Sequence, residues 1–278
     1  AVGRFTEPQY AELLVKQGRA DLIAFGRQSI ADPDLPAKAR TGQLETLAPC
    51  IGCLLGCVPN MFAGKPITCA VNPCVGRETE LTPAAVSKRV VVVGGGPGGL
   101  YAAWISALRG HQVTLLEKGS ELGGNFRIAS FPTGKGQLSE AIRSLIVKCQ
   151  KAGVELRTGA EATEETLKAL APEAIILATG STPLVLPIPG LADCGYVTAQ
   201  DMLEGKAPMG RRVLVVGGGM VGCEAAEYLA ERGHQVAVIE MKDVIAADVT
   251  PENRRYMFEN FEAHHVLLRP DAKVSRFY

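Results

Sequence analysis

Four cysteines crowd one short stretch of the chain: Cys50, Cys53, Cys57 and Cys69, spaced C-x2-C-x3-C-x11-C. Gly52, Gly56 and Pro59 lie among them, and glycine permits the turns that would bring four sulfurs to one centre. A thiolate set suits zinc or an iron–sulfur cluster, and spacing alone leaves both open beside ordinary buried thiols. Two further constellations are glycine-rich. Gly94, Gly96 and Gly99 form one G-x-G-x-x-G, and Gly217, Gly219 and Gly222 form a second, with Glu117 and Glu240 following at equal distances. In such a fingerprint the glycines allow a tight turn, close approach of a pyrophosphate and close helix–strand packing. The amides and dipole of the helix that follows favour the phosphates, and the glutamate accepts from ribose hydroxyls. A carboxylate at Glu240 would repel a 2′-phosphate, favouring NADH over NADPH. The plainer alternative is glycines that only turn the chain and glutamates that only end strands. If dinucleotides are bound, a redox chain beside them calls for a one-electron carrier; zinc cannot serve, so an iron–sulfur cluster is the expected ligand of the cysteines.

The elements that must position these residues can be read from a repeat. Arg89 to Glu117 (RVVVVGGGPGGLYAAWISALRGHQVTLLE) and Arg212 to Glu240 (RVLVVGGGMVGCEAAEYLAERGHQVAVIE) are two copies of one unit. Each runs from a β-branched strand through glycines into a helix and on to a second strand, a βαβ unit. Leu138 to Cys149 has helical spacing, a strand starts near Val154, and Ala174 to Leu177 is another short strand. The Pro-rich Thr182 to Gly190 connects domains. Upstream, Pro8 to Gln17 is expected as a helix and Leu22 to Phe25 as a buried strand. Pro49 to Val75 has no periodicity and is expected to be irregular, held by its ligands. His111 and His234 fall at equivalent turns of the repeat, which favours a structural role. The adjacent His264 and His265, if in a strand, would face opposite ways and could not share a metal. No nucleophile with a convincing base is present, and no side chain is assigned as catalytic.

Composition supports an α/β chain: 278 residues with 47% apolar, 5% aromatic and 31 glycines, enough for about two domains. Lys plus Arg equals Asp plus Glu, 29 against 29, so no basic field gathers nucleic acid or an anionic membrane surface. No apolar run is long enough to span a bilayer, and the first residues, AVGRFTEPQY, lack a basic stretch followed by an apolar one; with cysteines read as metal ligands, the expectation is a cytoplasmic protein.

The run APCIGCLLGC followed by ITCAVNPCVGRE resembles the iron–sulfur linker of the 2,4-dienoyl-CoA reductase, enoate reductase and trimethylamine dehydrogenase group. The stretches ELGGNF (Glu121 to Phe126) and AIILATGSTP (Ala174 to Pro183) resemble signatures of flavoprotein reductases with two dinucleotide domains. In the disulfide reductases of that kind a redox CxxxxC lies in the first helix; Trp104 and Ser106 stand in that region here, without a cysteine, which disfavours dithiol chemistry. DLIAFGRQSIADPDLPAK, Asp21 to Lys38, resembles the last strand and phosphate loop of an FMN-binding TIM barrel.

The resemblance implies a fold of tandem Rossmann-like FAD and NAD(P)-binding domains, preceded by an iron–sulfur linker and the end of a TIM barrel, truncated at both ends. The expected divisions are 1–40 (barrel end), 41–88 (cysteine linker), 89–200 (first part of the FAD domain) and 201–278 (part of the NAD(P)H domain). It further implies FAD at Gly94, Gly96, Pro97, Gly98, Gly99, Glu117, Lys118, Gly124, Ala178, Thr179 and Gly180. NADH, with NADPH left open, falls to Gly217, Gly219, Gly222 and Glu240. A 4Fe–4S cluster falls to Cys50, Cys53, Cys57 and Cys69, and the FMN phosphate to Gly26 and Arg27. Cys74 has no implied ligand, and Cys149, Cys194 and Cys223, in helical or connecting positions, are expected to be core thiols. Electrons would run from NADH to FAD, through the cluster to FMN, and on to an activated alkene. Two rivals stand beside this: an amine dehydrogenase of the same group with reversed flow, and a zinc-stabilised nucleotide-binding regulatory module. Homo-oligomerisation is left open.

Overall fold

The computed structural model describes residues 1–278 apart from the side chain at position 252. It forms two compact units, Ala1–Ser130 with Gly134–Gly180, and Phe131–Thr133 with Ser181–Tyr278.

The first unit begins with α1 (Pro8–Lys16), α2 (Gly26–Ala31), α3 (Leu35–Thr41) and α4 (Val58–Phe62). There follow β1 (Arg89–Val93), α5 (Pro97–Leu108), β2 (Gln112–Glu117), α6 (Gly124–Ile128), α7 (Gly136–Lys151), β3 (Glu155–Thr158), α8 (Glu164–Leu170) and β4 (Ala174–Leu177). Its sheet is parallel throughout in the order β3-β2-β1-β4, with Val90 beside Val113 and Ala174. β1, apolar from Val90 to Val93, lies between two neighbours, and Val91, Val92, Leu115 and Leu116 are almost wholly buried. Leu100 and Ala103 of α5 and Ile142, Leu145 and Cys149 of α7 cover it. At about 1.5–3 kcal/mol for each fully buried aliphatic side chain, this layer is what holds the first glycine loop in place.

The second unit repeats the plan with α9 (Ala199–Leu203), β5 (Arg212–Val216), α10 (Met220–Ala230), β6 (Gln235–Ile239), α11 (Pro251–Ala263) and β7 (Leu267–Arg269). Its sheet is parallel in the order β5-β6-β7. Phe261, Val238, Cys223 and Ala226 form its driest part.

Four expectations need correction. Cys194 is no core thiol: it lies in a surface turn and is exposed, whereas Cys149 and Cys223 are buried in the helices that cover the two sheets. Leu22 to Phe25 is not a buried strand: Ala24 makes one isolated bridge, to Val2, and Leu22 is 80% exposed. A strand becomes buried through neighbours on both sides, and this one has a single bridge. The cysteine segment is not wholly irregular, because Pro59 presets the first turn of α4 directly after Cys57. His264 and His265 lie in no strand; they end α11, His265 with φ 55° in the left-handed region, and both are exposed. The histidines of the repeat do hold structure. The His111 ring accepts from the Lys88 amide at 3.2 Å and the His234 ring meets the Gly210 carbonyl at 2.8 Å, each just before its copy's first strand.

Candidate functional site

In the first copy, β1 runs into Gly94, whose φ of 110° only glycine adopts easily. The close neighbour there is the Ala178 carbonyl; a methyl group on Gly94 would lie 2.2 Å from it. That contact brings Ala178, Thr179 and Gly180 beside a loop far from them in sequence. Gly99 is equally constrained, since a methyl group on it would sit 1.8 Å from the Gly94 oxygen. Gly96 and Gly98, by contrast, face open space. Pro97 opens α5, so its missing amide proton costs the helix nothing. Gly124 lies against the Gly96 backbone and Gly123 donates to the Gly95 carbonyl at 2.8 Å, closing the far side of the loop. Glu117 accepts from the Gly95 amide at 2.6 Å and the Gly119 amide at 2.7 Å, while Lys118 beside it is exposed. The carboxylate thus locks the loop with one lone pair on each oxygen and keeps the others for a ligand.

The second copy reproduces this arrangement. Glu240 accepts from Gly218 at 2.7 Å and Lys242 at 2.8 Å, and these amides hold its carboxyl below the usual range. A methyl group on Gly222 would lie 1.9 Å from the Gly217 oxygen. One feature is new: Asp248 seats its carboxylate on the first amide of α10, 2.9 and 3.1 Å from Met220 N, next to Gly219. Ala246, in the left-handed region, donates to Gly218 O at 2.7 Å and fixes that loop on the glycines.

Cys50, Cys53, Cys57 and Cys69, all half-buried, line one small cavity with Arg27, Ile30 and Val71. Among the described residues no three His, Cys, Asp or Glu groups are arranged to hold a single metal ion. A cubane cluster spreads its four ligands more widely than one tetrahedral ion, and the cysteines surround the cavity without meeting at a point. Burial pushes the Cys69 thiol up, and amides of Val71 and Asn72 donating to its sulfur pull the other way. Such donors suit a thiolate carrying metal. Gly56 makes the loop possible: a methyl group there would lie 2.1 Å from Thr68 Oγ1.

A larger cleft of about 340 Å³ shares Arg27, Ile30, Cys50 and Cys57 with this cavity and adds Arg4, Gly26 and Met61. Two arginines and no carboxylate line it, which suits a phosphate. Arg4, near Gly52 and at φ 51°, carries no motif and was not picked out from sequence. Nor were Gln28 and Asp32, both almost fully buried in α2 and directly after it. Gln28 bonds the Ala48 carbonyl at 2.9 Å and the Cys50 amide at 2.7 Å; Asp32 takes the Ala48 amide at 2.9 Å and Lys38 at 2.6 Å. They tie the approach to the first cysteine onto the barrel-end helix.

Residues 88–278 match the model of the family described as pyridine nucleotide-disulphide oxidoreductase. The chain belongs to this family of oxidoreductases. Residues 1–45 match the NADH:flavin oxidoreductase / NADH oxidase family. The chain is 44% identical over 282 residues to the NADH oxidase of Thermoanaerobacter brockii, covering 99% of this chain and 43% of that protein. With the cinnamate reductase of Clostridium sporogenes it shares 37% identity over 245 residues, 87% of this chain and 36% of the relative. The solved 2-naphthoyl-CoA reductase, in complex with 2-naphthoyl-CoA, matches with a TM-score of 0.95 at 33% identity, covering 100% of this chain and 43% of that one. The chain therefore spans less than half the length of these relatives. A barrel end followed by paired Rossmann-like domains is the C-terminal portion of the 2,4-dienoyl-CoA reductase-like enzymes, as the sequence resemblance implied. Flavin and nicotinamide binding belong to that family.

Proposed function

We propose that this chain is the electron-input portion of an NADH-dependent flavin and iron–sulfur oxidoreductase. FAD lies at Gly94 to Gly99, Glu117, Lys118, Gly124 and Ala178 to Gly180; NADH lies at Gly217, Gly219, Gly222 and Glu240. A 4Fe–4S cluster sits on Cys50, Cys53, Cys57 and Cys69, and Arg27 with Gly26, joined by Arg4, takes the FMN phosphate. When bound, these groups supply hydride transfer from NADH to FAD and single-electron passage through the cluster to FMN, which in the intact enzyme reduces an activated alkene.

The protein's own work is positional. The glycine loops leave room at Gly96 and Gly98, the glutamates hold those loops and meet ribose, and the arginines neutralise a phosphate. The observation that carries the reading is the position of the cysteine cavity. It shares a wall with the arginine-lined cleft, and Cys50, Cys69 and Phe126 all pack against the small core of Ala31, Val71 and Ala141, Phe126 also packing against the core beneath the first glycine loop. A carrier there stands between the two flavin sites. The intact second fingerprint favours electron input from a nicotinamide over the reversed flow of an amine dehydrogenase.

The test is an anaerobic visible spectrum of the purified protein, with iron, sulfide and zinc assayed on the same sample, before and after NADH. Flavin bands over a broad iron–sulfur shoulder, bleached by NADH, are expected; a colourless zinc protein would overturn the reading.

A further inference from the structure

Helix α2 holds the cysteine segment at both ends. Gln28 lies on it, 1% exposed, with its side-chain amide turned to the chain that enters the segment. Its Oε1 accepts from the Cys50 amide at 2.7 Å and its Nε2 donates to the Ala48 carbonyl at 2.9 Å. The orientation of this side chain is forced, since one partner can only donate and the other only accept. Pro49 between them has no N–H, and the Ala48 amide goes to Asp32, directly after α2, at 2.9 Å. From Ala48 to Cys50, then, every N–H is taken by a side chain of this one short stretch, as buried amides require. At the far end Asn72, three residues past Cys69, donates from Nδ2 to the Ile30 carbonyl of α2 at 2.9 Å and takes the Cys74 amide on Oδ1 at 3.0 Å. The chain that carries all four cysteines thus begins and ends on α2.

None of these bonds involves a sulfur or needs a metal. Pinning the two ends removes loop freedom that ligation would otherwise have to remove. The bond on Cys50 has a second effect. N–H groups that donate to the sulfurs of a cluster favour its more negative, reduced state and raise its potential, and Oε1 keeps the Cys50 N–H engaged elsewhere. We propose that Gln28 is a positioning residue for the cysteine centre: it fixes Cys50 before any metal is bound, and it withholds the Cys50 N–H from an iron–sulfur cluster, keeping the reduction potential low. The inference rests on the cluster reading above and adds to it a residue that no cysteine motif contains. It also makes α2 a shared element, because Arg27, the neighbour of Gln28, lines both the cysteine cavity and the arginine-lined cleft.

The experiment has two parts. Residue-resolved hydrogen exchange on the reduced, metal-free wild-type chain should show the Cys50 amide exchanging at least about a hundredfold more slowly than in an unstructured peptide. Exchange at the unstructured rate overturns the proposal. A potentiometric EPR titration of the iron–sulfur-reconstituted protein then compares wild type with Gln28→Met, whose side chain has similar length but holds neither backbone group. The freed Cys50 N–H should raise the midpoint of the variant. A role in packing alone would lower the melting temperature and leave the midpoint where it is, and an unchanged or lowered midpoint overturns the proposal. Should Gln28→Met not fold, the exchange measurement decides alone, a protected Cys50 amide supporting the role and a freely exchanging one overturning it. Wild-type protein that takes up no iron and sulfide would overturn the cluster reading itself, a result distinct from the exchange measurement, which is made without metal.

Discussion

Gly99 and Gly96 occupy the same loop for opposite reasons, and substitution separates them. A methyl group on Gly99 would meet the Gly94 oxygen at 1.8 Å, and one on Gly222 the Gly217 oxygen at 1.9 Å. Gly99→Ala and Gly222→Ala force backbone apart, and each is expected to destabilise its unit by about 1–3 kcal/mol in a denaturant titration. Gly96→Ala meets nothing and its backbone is extended, so stability should stay as it is while dinucleotide affinity falls, because the methyl group enters the space left for a pyrophosphate. Equal destabilisation of all three variants would show that crowding, and not ligand space, shapes the loop. Glu240 offers a second residue-level test. In Glu240→Gln the side chain can accept from only one of the Gly218 and Lys242 amides, and the charge opposing a 2′-phosphate is gone. NADH should bind more weakly and the preference for NADH over NADPH should shrink, both read by fluorescence titration.

At the scale of elements, α10 shows what the sequence could and could not reveal. Its fingerprint and the strands around it were legible, because each βαβ copy carries its own periodicity and the last glycine of each fingerprint answers a contact only five residues back. Asp248 was not legible: it lies well beyond the fingerprint, and only the fold seats it on Met220 N. The same holds for Arg4, which only the fold brings to the cleft beside Arg27. Leu22 to Phe25 misled in the other direction, since an apolar run looks alike whether it gains two neighbours or a single bridge. Asp248 leads to a prediction with two opposite signs. Its carboxylate stabilises the positive end of α10, so Asp248→Asn should cost about 0.3–1 kcal/mol of stability. That carboxylate also occupies an amide a pyrophosphate would use, so the same variant should bind NAD⁺ more tightly; thermal melts with and without NAD⁺ read both. In the cysteine loop, Gly56→Ala would press on Thr68 Oγ1 and its carbonyl, at 2.1 and 2.8 Å, and should lower iron per chain while β1 to β4 stay folded.

Across the first unit as a whole, the barrel-end helices are joined to α7 through a buried charge cluster. Lys148 of α7 points its ammonium over the Trp104 ring at 5.0 Å and lies 3.9 Å from Asp32, whose carboxylate is already paired with Lys38 at 2.6 Å. Burial, with Lys38 adding repulsion and Asp32, Asp34 and Cys74 opposing it, brings the Lys148 pKa down to about 8. An unfolded lysine titrates near 10.4, so the folded chain releases this proton first. Below about pH 8 both states are charged and the cost of burying the ammonium is present in full. Between about pH 8 and 10.4 the unfolded state holds more protons, so this group makes stability rise with pH. The buried thiols Cys149 and Cys223, pushed up to about 12 and 11, act in the opposite sense over part of that range. The informative quantity is therefore the difference between wild type and Lys148→Met, in which the thiol contributions cancel. Urea midpoints from pH 7 to 10 should show wild type gaining on the variant steadily above pH 8, and a difference flat across that range would mean that Lys148 keeps its proton and pairs with Asp32 more closely than its surroundings imply.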